Sequence, residues 1–365
     1  MNSWNRMVIG ATMLSVLSLG AGAQTIGTSL PVTLYGFVKG DLAFDTDPVD
    51  TGNFFKWVPA PDPANDTEDE IFLTANQTRL GLKFAGPEED GIKTGAVVEV
   101  DFYGGGDENK ANPMMRQAYV TAVWPDLGLE VLAGQTSDLI SPLFPRTVNY
   151  AVQWWAGNIG YRRPQFRVSK GWGGLKTQVA LARTLGGERK GTPNIQYRLA
   201  YDFKLLTDKP SSLGFSGHMA TLDDTVTPES ETQSINVEFS LPLTSKLSVK
   251  GEYWSGENMA PYLGCIGQAA AEGVGYWVDF GFAASPTLDF HVVYGVDDPD
   301  EESTDYPLVA PARQLNTALS VNAFWKLGKA LTWANEVALL TTEYVGVGAE
   351  DGEATRFQTS FIFSF

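Results

Sequence analysis

The stretch Ile195-Gln196-Tyr197-Arg198-Leu199-Ala200-Tyr201-Asp202-Phe203-Lys204 alternates apolar and polar side chains with a period of two. Successive side chains of a strand point to opposite faces. Ile195, Tyr197, Leu199, Tyr201 and Phe203 therefore share one face, and Gln196, Arg198, Asp202 and Lys204 the other. A helix would need a period of about 3.6, so the stretch reads as a strand. The pattern recurs on both sides of it. Leu80, Leu82 and Phe84 oppose Arg79 and Lys83; Ile235, Val237, Phe239 and Leu241 oppose Asn236, Glu238 and Ser240; Leu288, Phe290, Val292 and Tyr294 oppose Asp289 and His291. About sixteen such segments follow one another, each near the 9–11 residues that cross a bilayer as a tilted strand. They start near Val32, Thr78, Lys93, Arg116, Leu127, Arg163, Leu175, Asn194, Leu213, Thr232, Lys246, Val274, Thr287, Gln314, Ala330 and Ala354.

The connections between these segments alternate in length. Pro125-Asp126, Gly171-Trp172-Gly173, Pro242-Leu243-Thr244-Ser245, Ser285-Pro286 and Gly328-Lys329 are tight turns. Asp45–Gln77, Gly104–Met115, Thr136–Tyr161, Thr184–Pro193, Asp223–Glu231, Ser255–Gly273, Asp297–Arg313 and Val345–Glu353 are long. This predicts an all-β fold, a transmembrane antiparallel β-barrel with short periplasmic turns and long extracellular loops. A soluble sandwich or propeller also alternates, but a propeller shows a blade repeat of about 40–50 residues, and none is found. Trp254, Trp277, Trp325, Trp333, Tyr253 and Tyr344 are expected on the lipid side as interfacial aromatics.

The N-terminus and the composition set the compartment. Arg6, the apolar run Val8 to Leu19 and the small residues Ala21-Gly22-Ala23 form a secretory signal pattern. Residues 1–23 are thus expected to be removed, leaving 24–365 as a single barrel domain in a Gram-negative outer membrane. Beyond Ala23 no run approaches the roughly 18 apolar residues of a membrane helix. Phe357, Phe361, Phe363 and Phe365 fall on one face of the last strand, a pattern like the terminal signal read by the outer-membrane assembly machinery. The chain has 26 basic and 43 acidic residues, a formal charge of −17, which opposes nucleic-acid binding. A single cysteine (Cys265) excludes a disulfide framework, and two histidines (His218 and His291) leave little for a metal centre, so no cofactor or metal is expected.

That charge is unevenly spread. Acids crowd the first long loop, with Asp45, Asp47, Asp50, Asp62, Asp66, Glu68, Asp69 and Glu70, and the seventh, with Asp297, Asp298, Asp300, Glu301, Glu302 and Asp305. They are either solvated loop charge, or a means of bridging phosphate-bearing lipids, lipopolysaccharide included, through divalent cations, or of excluding particular solutes. Leu139 to Gly187 contains no acid at all but holds Arg146, Arg162, Arg163, Arg167, Lys170, Lys176 and Arg183. A cation facing lipid at mid-depth costs about 2–4 kcal/mol, so these side chains are expected inside. There they either pair with Glu99, Asp101 or Glu130 across the lumen, or form an electropositive constriction. The pore-lining, anion-binding candidates are Arg79, Arg116, Arg146, Arg162, Arg163, Arg167, Lys176 and Arg198. The third long loop is too apolar to project into water. It is expected to fold inward and narrow the lumen with Leu143, Phe144, Tyr150, Trp154 and Trp155, although a surface patch or a subunit contact would also cover it.

Several segments resemble the DcaP-like family of outer-membrane porins. They are Leu34-Tyr35-Gly36-Phe37-Val38-Lys39, Gln77-Thr78-Arg79-Leu80-Gly81, Val98-Glu99-Val100-Asp101-Phe102-Tyr103-Gly104, Arg116-Gln117-Ala118-Tyr119-Val120 and Leu132-Ala133-Gly134-Gln135-Thr136. The resemblance implies a sixteen-stranded homotrimer with an inward third loop and a preference for small anions such as dicarboxylates. It covers most of the mature chain, without the N-terminal coiled coil of some members. The expected function is passive diffusion of small hydrophilic anions, not enzymatic catalysis. Two alternatives stand beside it: a plugged or adhesin-type barrel, and a barrel hydrolase. The hydrolase would need a base, and His218 (with Ser216 nearby on the same face) and His291 are the two imidazoles of the chain, both on inward parity.

Overall fold

The computed structural model describes residues 30–50, 52–61, 69–105, 110–183, 192–223, 228–268, 272–300, 311–346 and 349–365, with backbone alone at 222, 223 and 228–230. The expected signal segment and the loop acids Asp62, Asp66, Glu68, Glu301, Glu302 and Asp305 lie outside these residues. The strands are β1 (Val32–Asp45), β2 (Glu70–Thr74), β3 (Arg79–Glu89), β4 (Ile92–Asp101), β5 (Met114–Trp124), β6 (Leu129–Ser137), β7 (Arg162–Trp172), β8 (Leu175–Ala182) and β9 (Asn194–Phe203). They continue as β10 (Ser211–Asp223), β11 (Pro228–Pro242), β12 (Leu247–Glu257), β13 (Glu272–Ser285), β14 (Leu288–Pro299), β15 (Ala312–Lys326), β16 (Leu331–Val345) and β17 (Gly352–Ser364).

Each strand pairs antiparallel with its neighbours, and β17 returns to β1 to close the sheet. The 17 strands fill sixteen places in the wall, because β2 and β3 share one. β1 pairs with β3 over Val32–Phe37 and with β2 over Asp41–Asp45, and a turn from Ala75 O to Thr78 N joins the two. The second wall position therefore begins at Glu70, earlier than the expected start near Thr78, because the strand resumes beyond this break. At the seam Gly36 and Phe365 exchange backbone hydrogen bonds of 3.2 and 3.1 Å. Gly36 has φ +147°, and a Cβ there would lie 2.1 Å from the Arg79 carbonyl oxygen, so only glycine fits this crossing.

Alternation along the chain becomes two faces of the wall. Val120, Phe166, Val179, Leu181, Leu199, Phe215, Ile235, Phe280, Val292 and Val337 point outward and are exposed. Phe357, Phe361, Phe363 and Phe365 share that outer face, with Phe361 stacked on Trp333 at 6.3 Å. Gln196, Glu238, Glu252, Asp279, Asn322 and Glu336 point inward and are buried. The aromatic expectation needs correcting at three positions. Tyr253 and Trp325 are outward and exposed, and Trp333 joins the outer stack, but Trp254 and Trp277 are fully buried inside. Trp254 donates to the Gly157 carbonyl at 3.0 Å, Trp277 donates to Glu252 at 3.0 Å, and the Tyr344 hydroxyl donates to the Val58 carbonyl at 2.7 Å. Parity decides the matter, since Trp254 lies two residues from Glu252 and Trp277 two from Asp279. A ring with an N–H donor suits the lumen when a carbonyl or carboxylate awaits it.

Candidate functional site

The third loop, joining β6 to β7, turns into the barrel as expected and packs there against loops 1 and 6. Leu139, Ile140, Val148, Tyr150, Ala151, Trp154, Ala156 and Ile159 are all buried. Loop 1, between β1 and β2, packs Phe55 and Val58 against Ala151 and Ala156. Loop 6, between β12 and β13, packs Met259, Tyr262 and Cys265 against Ile140, Ile159 and Trp254. Burial, with Asp297 nearby, pushes the Cys265 thiol up, so this residue is a core side chain and not a reactive one.

Polar groups of the wall fix the course of loop 3. At its neck the Asp138 N–H donates to the Tyr161 carbonyl and the Tyr161 N–H to the Asp138 carboxylate, both at 2.9 Å. The same carboxylate takes Arg163 at 2.6 Å and Gln196 at 2.7 Å, and the Leu139 N–H donates to Gln196 at 2.7 Å. The loop then crosses the lumen on three carboxylates. Leu143 N–H donates to Glu252 at 2.7 Å, Arg146 N–H to Asp279 at 2.9 Å, and the Val148 and Asn149 N–H groups to Glu336 at 2.7 and 3.0 Å. Lys39, ion-paired with Asp41 at 3.1 Å, donates to the Val148 carbonyl at 2.6 Å. On the way back Asn316 donates to the Trp155 carbonyl at 2.6 Å. Ser141, Val152, Gln153 and Trp155 hold φ of 46°, 47°, 63° and 63°, left-handed backbone that non-glycine residues adopt only under constraint.

The expected pore residues divide by partner. Arg116 sits at a bulge in β5, which turns it inward to Glu99 at 3.0 Å, Asp101 at 2.5 Å and the Tyr150 hydroxyl at 3.2 Å. Arg79 lies 3.7 Å from the same Glu99, and Arg198 donates to Gln178 at 3.0 Å and Glu238 at 2.6 Å. Arg167 finds neutral acceptors, Gln165 at 2.9 Å and the Ser137 carbonyl at 2.5 Å. Lys176 is on inward parity with Gln178 and exposed at the turn end. Two placements correct the expectation. Arg163 faces inward but is fully buried in its Asp138 ion pair, so it braces the neck of loop 3 and does not line water. Arg162 shares parity with outward Phe166, yet is buried over the Tyr161 ring at 4.5 Å, its Nε and Nη2 without partners among the described residues.

Of the constriction candidates, Phe144 is exposed, and Leu143 and Trp155 are half-buried. Tyr150 and Trp154 instead pack into a cluster with Tyr103, where the Tyr103 and Tyr150 rings lie 4.1 Å apart. The aromatic residues of the loop mostly hold it together. Sequence reasoning missed Glu252, Asp279 and Glu336, although an acid on the polar parity of a mid-barrel strand was a readable signal. His218 bonds to Ser234 at 2.7 Å and Thr232 at 3.0 Å, all three buried, and not to Ser216.

Where the wall ion pairs border water, their two partners differ in exposure. The side-chain exposure is 24% for Arg79, 11% for Arg116, 16% for Arg198 and 31% for Lys250, against at most 5% for their acids Glu99, Asp101, Glu238 and Asp279.

A closed antiparallel wall, apolar outside, polar inside and narrowed by an inward third loop, is the architecture of the outer-membrane porins. Among solved structures, the fold is similar to the outer membrane channel DcaP of Acinetobacter baumannii, with a TM-score of 0.77 and 19% identity over 95% of this chain and 100% of that one. It is also similar to an anion-selective porin from Comamonas acidovorans, with a TM-score of 0.61 and 17% identity over 92% and 100% of the two chains. Salmonella typhi OmpF, solved in complex with daunomycin, gives 0.64 and 10% over 93% and 99%. Neither a protein-family model nor a curated protein matches the sequence.

Proposed function

We propose that this protein is a DcaP-like porin of the Gram-negative outer membrane that lets small hydrophilic anions, dicarboxylates among them, diffuse passively through its lumen. The observation that carries this is the asymmetry of the wall ion pairs that border water, in which Glu99, Asp101, Glu238 and Asp279 are sunk and Arg79, Arg116, Arg198 and Lys250 reach the water. A solute in the passage meets guanidinium and ammonium donors first, and in a narrow low-dielectric space their field concentrates anions. The wall acids Glu252, Asp279 and Glu336 are occupied by backbone N–H groups of loop 3, which further screens them from the passage. The barrel is proposed to act as a homotrimer among outer-membrane lipids and lipopolysaccharide, after export by its N-terminal signal and assembly through its C-terminal phenylalanines.

A potassium chloride gradient across a planar bilayer tests this. The expected reversal potential has the sign of chloride selectivity, and a cation-selective value would overturn the anion assignment. Loops 1, 3 and 6 all enter the lumen, so a sealed barrel remains the competing arrangement; it would show no steady conductance.

A further inference from the structure

Where loop 3 first crosses the wall, four buried oxygens have no hydrogen-bond partner among the described residues. They are Ser141 Oγ on the loop, and Ser216 Oγ, Asn236 Oδ1 and Glu238 Oε2 on the wall. None of the four residues is more than 4% exposed. The register of the wall brings them together. Ser216 pairs directly with Asn236 across β10 and β11, and Glu238 is the next inward residue after Asn236. The Leu139 N–H is fixed on Gln196 of β9, and the Leu143 N–H on Glu252 of β12. Gln196 lies across from His218, and Glu252 across from Glu238, so the direct path between the two anchors passes over Ser216 and Asn236. Ser141 is the middle residue of that path, with its backbone held left-handed at φ 46°.

The donors around these oxygens are already committed. Arg198 gives its Nε to the other oxygen of Glu238 at 2.6 Å. The Asn236 amide donates to Ser234 at 3.1 Å, and Ser234 lies 2.7 Å from His218. Glu252, directly opposite Glu238, takes the Leu143 N–H and the Trp277 indole. Like charges directly opposite each other in a strand pair repel. One guanidinium between two carboxylates leaves one negative charge over. Carboxylate and amide oxygens only accept, and a hydroxyl can accept as well. Buried acceptors left without a partner cost stability, and an all-oxygen set with surplus negative charge suits a hard cation.

We propose that Ser141, Ser216, Asn236 and Glu238 hold one small hard cation, sodium or calcium, which ties the first crossing of loop 3 to the wall. The ion offsets the charge that Glu238 and Glu252 carry in excess of Arg198, and it holds Ser141 in its left-handed backbone. All four ligands are buried, so the ion serves the position of the loop and is not a solute in transit.

Thermal unfolding of the purified barrel in a nonionic detergent, followed by circular dichroism after dialysis against a chelator, tests this. The native protein is compared in tetramethylammonium chloride, which screens charge but is too bulky for the site, and in sodium or calcium chloride at the same ionic strength. A cation that binds only the folded barrel raises the unfolding temperature. A rise of a few degrees is expected, and the cation that gives it at the lower concentration is the one held. Ser141→Ala and Ser216→Ala each remove one oxygen without changing charge, and each is expected to lose most of that rise. Asn236→Ala replaces either one that lacks the native strand signal at low temperature. An unfolding temperature that is the same in all three salts overturns the site. A rise that survives in both variants places the cation elsewhere and overturns it too. Destabilisation by the two variants that is equal in every salt would assign the oxygens to ordered water and not to a cation. The reversal potential decides the anion assignment separately, and a cation-selective value there would leave this site standing.

Discussion

Arg163 and Arg167 lie four residues apart on β7 with the same inward parity, yet their surroundings separate them. Arg163 is buried against Asp138, which also ties the neck of loop 3 to Tyr161 and Gln196. Removing one partner of a buried ion pair leaves the other charge without compensation, at a cost of about 3–5 kcal/mol. Arg163→Ala is therefore expected to lower the temperature at which the folded band is lost on gels. Arg167→Gln removes a charge whose hydrogen bonds, among the described residues, go to the neutral acceptors Gln165 and Ser137. It is expected to shift the reversal potential toward cations while leaving that temperature nearly unchanged, and the opposite pattern in the pair would reverse the two roles. Alternation in the sequence placed both side chains inside. It could not distinguish them, because Asp138 reaches Arg163 only through the turn of loop 3, and Gln196 joins from β9. The same limit misplaced Trp254 and Trp277, whose aromatic character suited either face until the parity of Glu252 and Asp279 was counted.

Loop 3 was legible as an inward element from its apolar residues, but its path was not. That path is set by contacts with Glu252, Asp279 and Glu336, all far away in the chain and brought together only by closure of the wall. Four non-glycine residues of the loop hold left-handed backbone, each costing on the order of 1–3 kcal/mol. The carboxylate anchors offset that strain. Glu336 holds four donors, the N–H groups of Val148 and Asn149 and the side-chain amides of Asn149 and Asn322. Glu336→Gln loses the charge and keeps one acceptor oxygen, so the middle of the loop is expected to loosen. Single-channel records should then show larger current fluctuations than the native protein, and a trace as quiet as native would mean that Lys39 and Asn322 suffice to hold the loop.

For the whole molecule, the net charge of −17 is a poor guide to the passage, because the passage is set by which partner reaches water in the ion pairs that border it. Such exposed charge is screened by salt, over about 3 Å at 1 M against about 10 Å at 0.1 M. Anion preference is thus expected to be clear at about 0.1 M potassium chloride and to shrink toward 1 M; a preference independent of salt would point to a steric filter and not a field. The wall itself was largely readable, with strand starts close to those expected apart from the broken second position. The seam adds a consequence for how the wall comes into being. Gly36 and Phe365 are partners from nearly opposite ends of the described chain, so the last bonds of the cylinder wait for every strand between them. Until then β1 and β17 are two bare edges, each a template for a stranger's strand. Assembly of this kind is slow and concerted, and its vulnerable moment is a nearly finished curl that has not yet met itself.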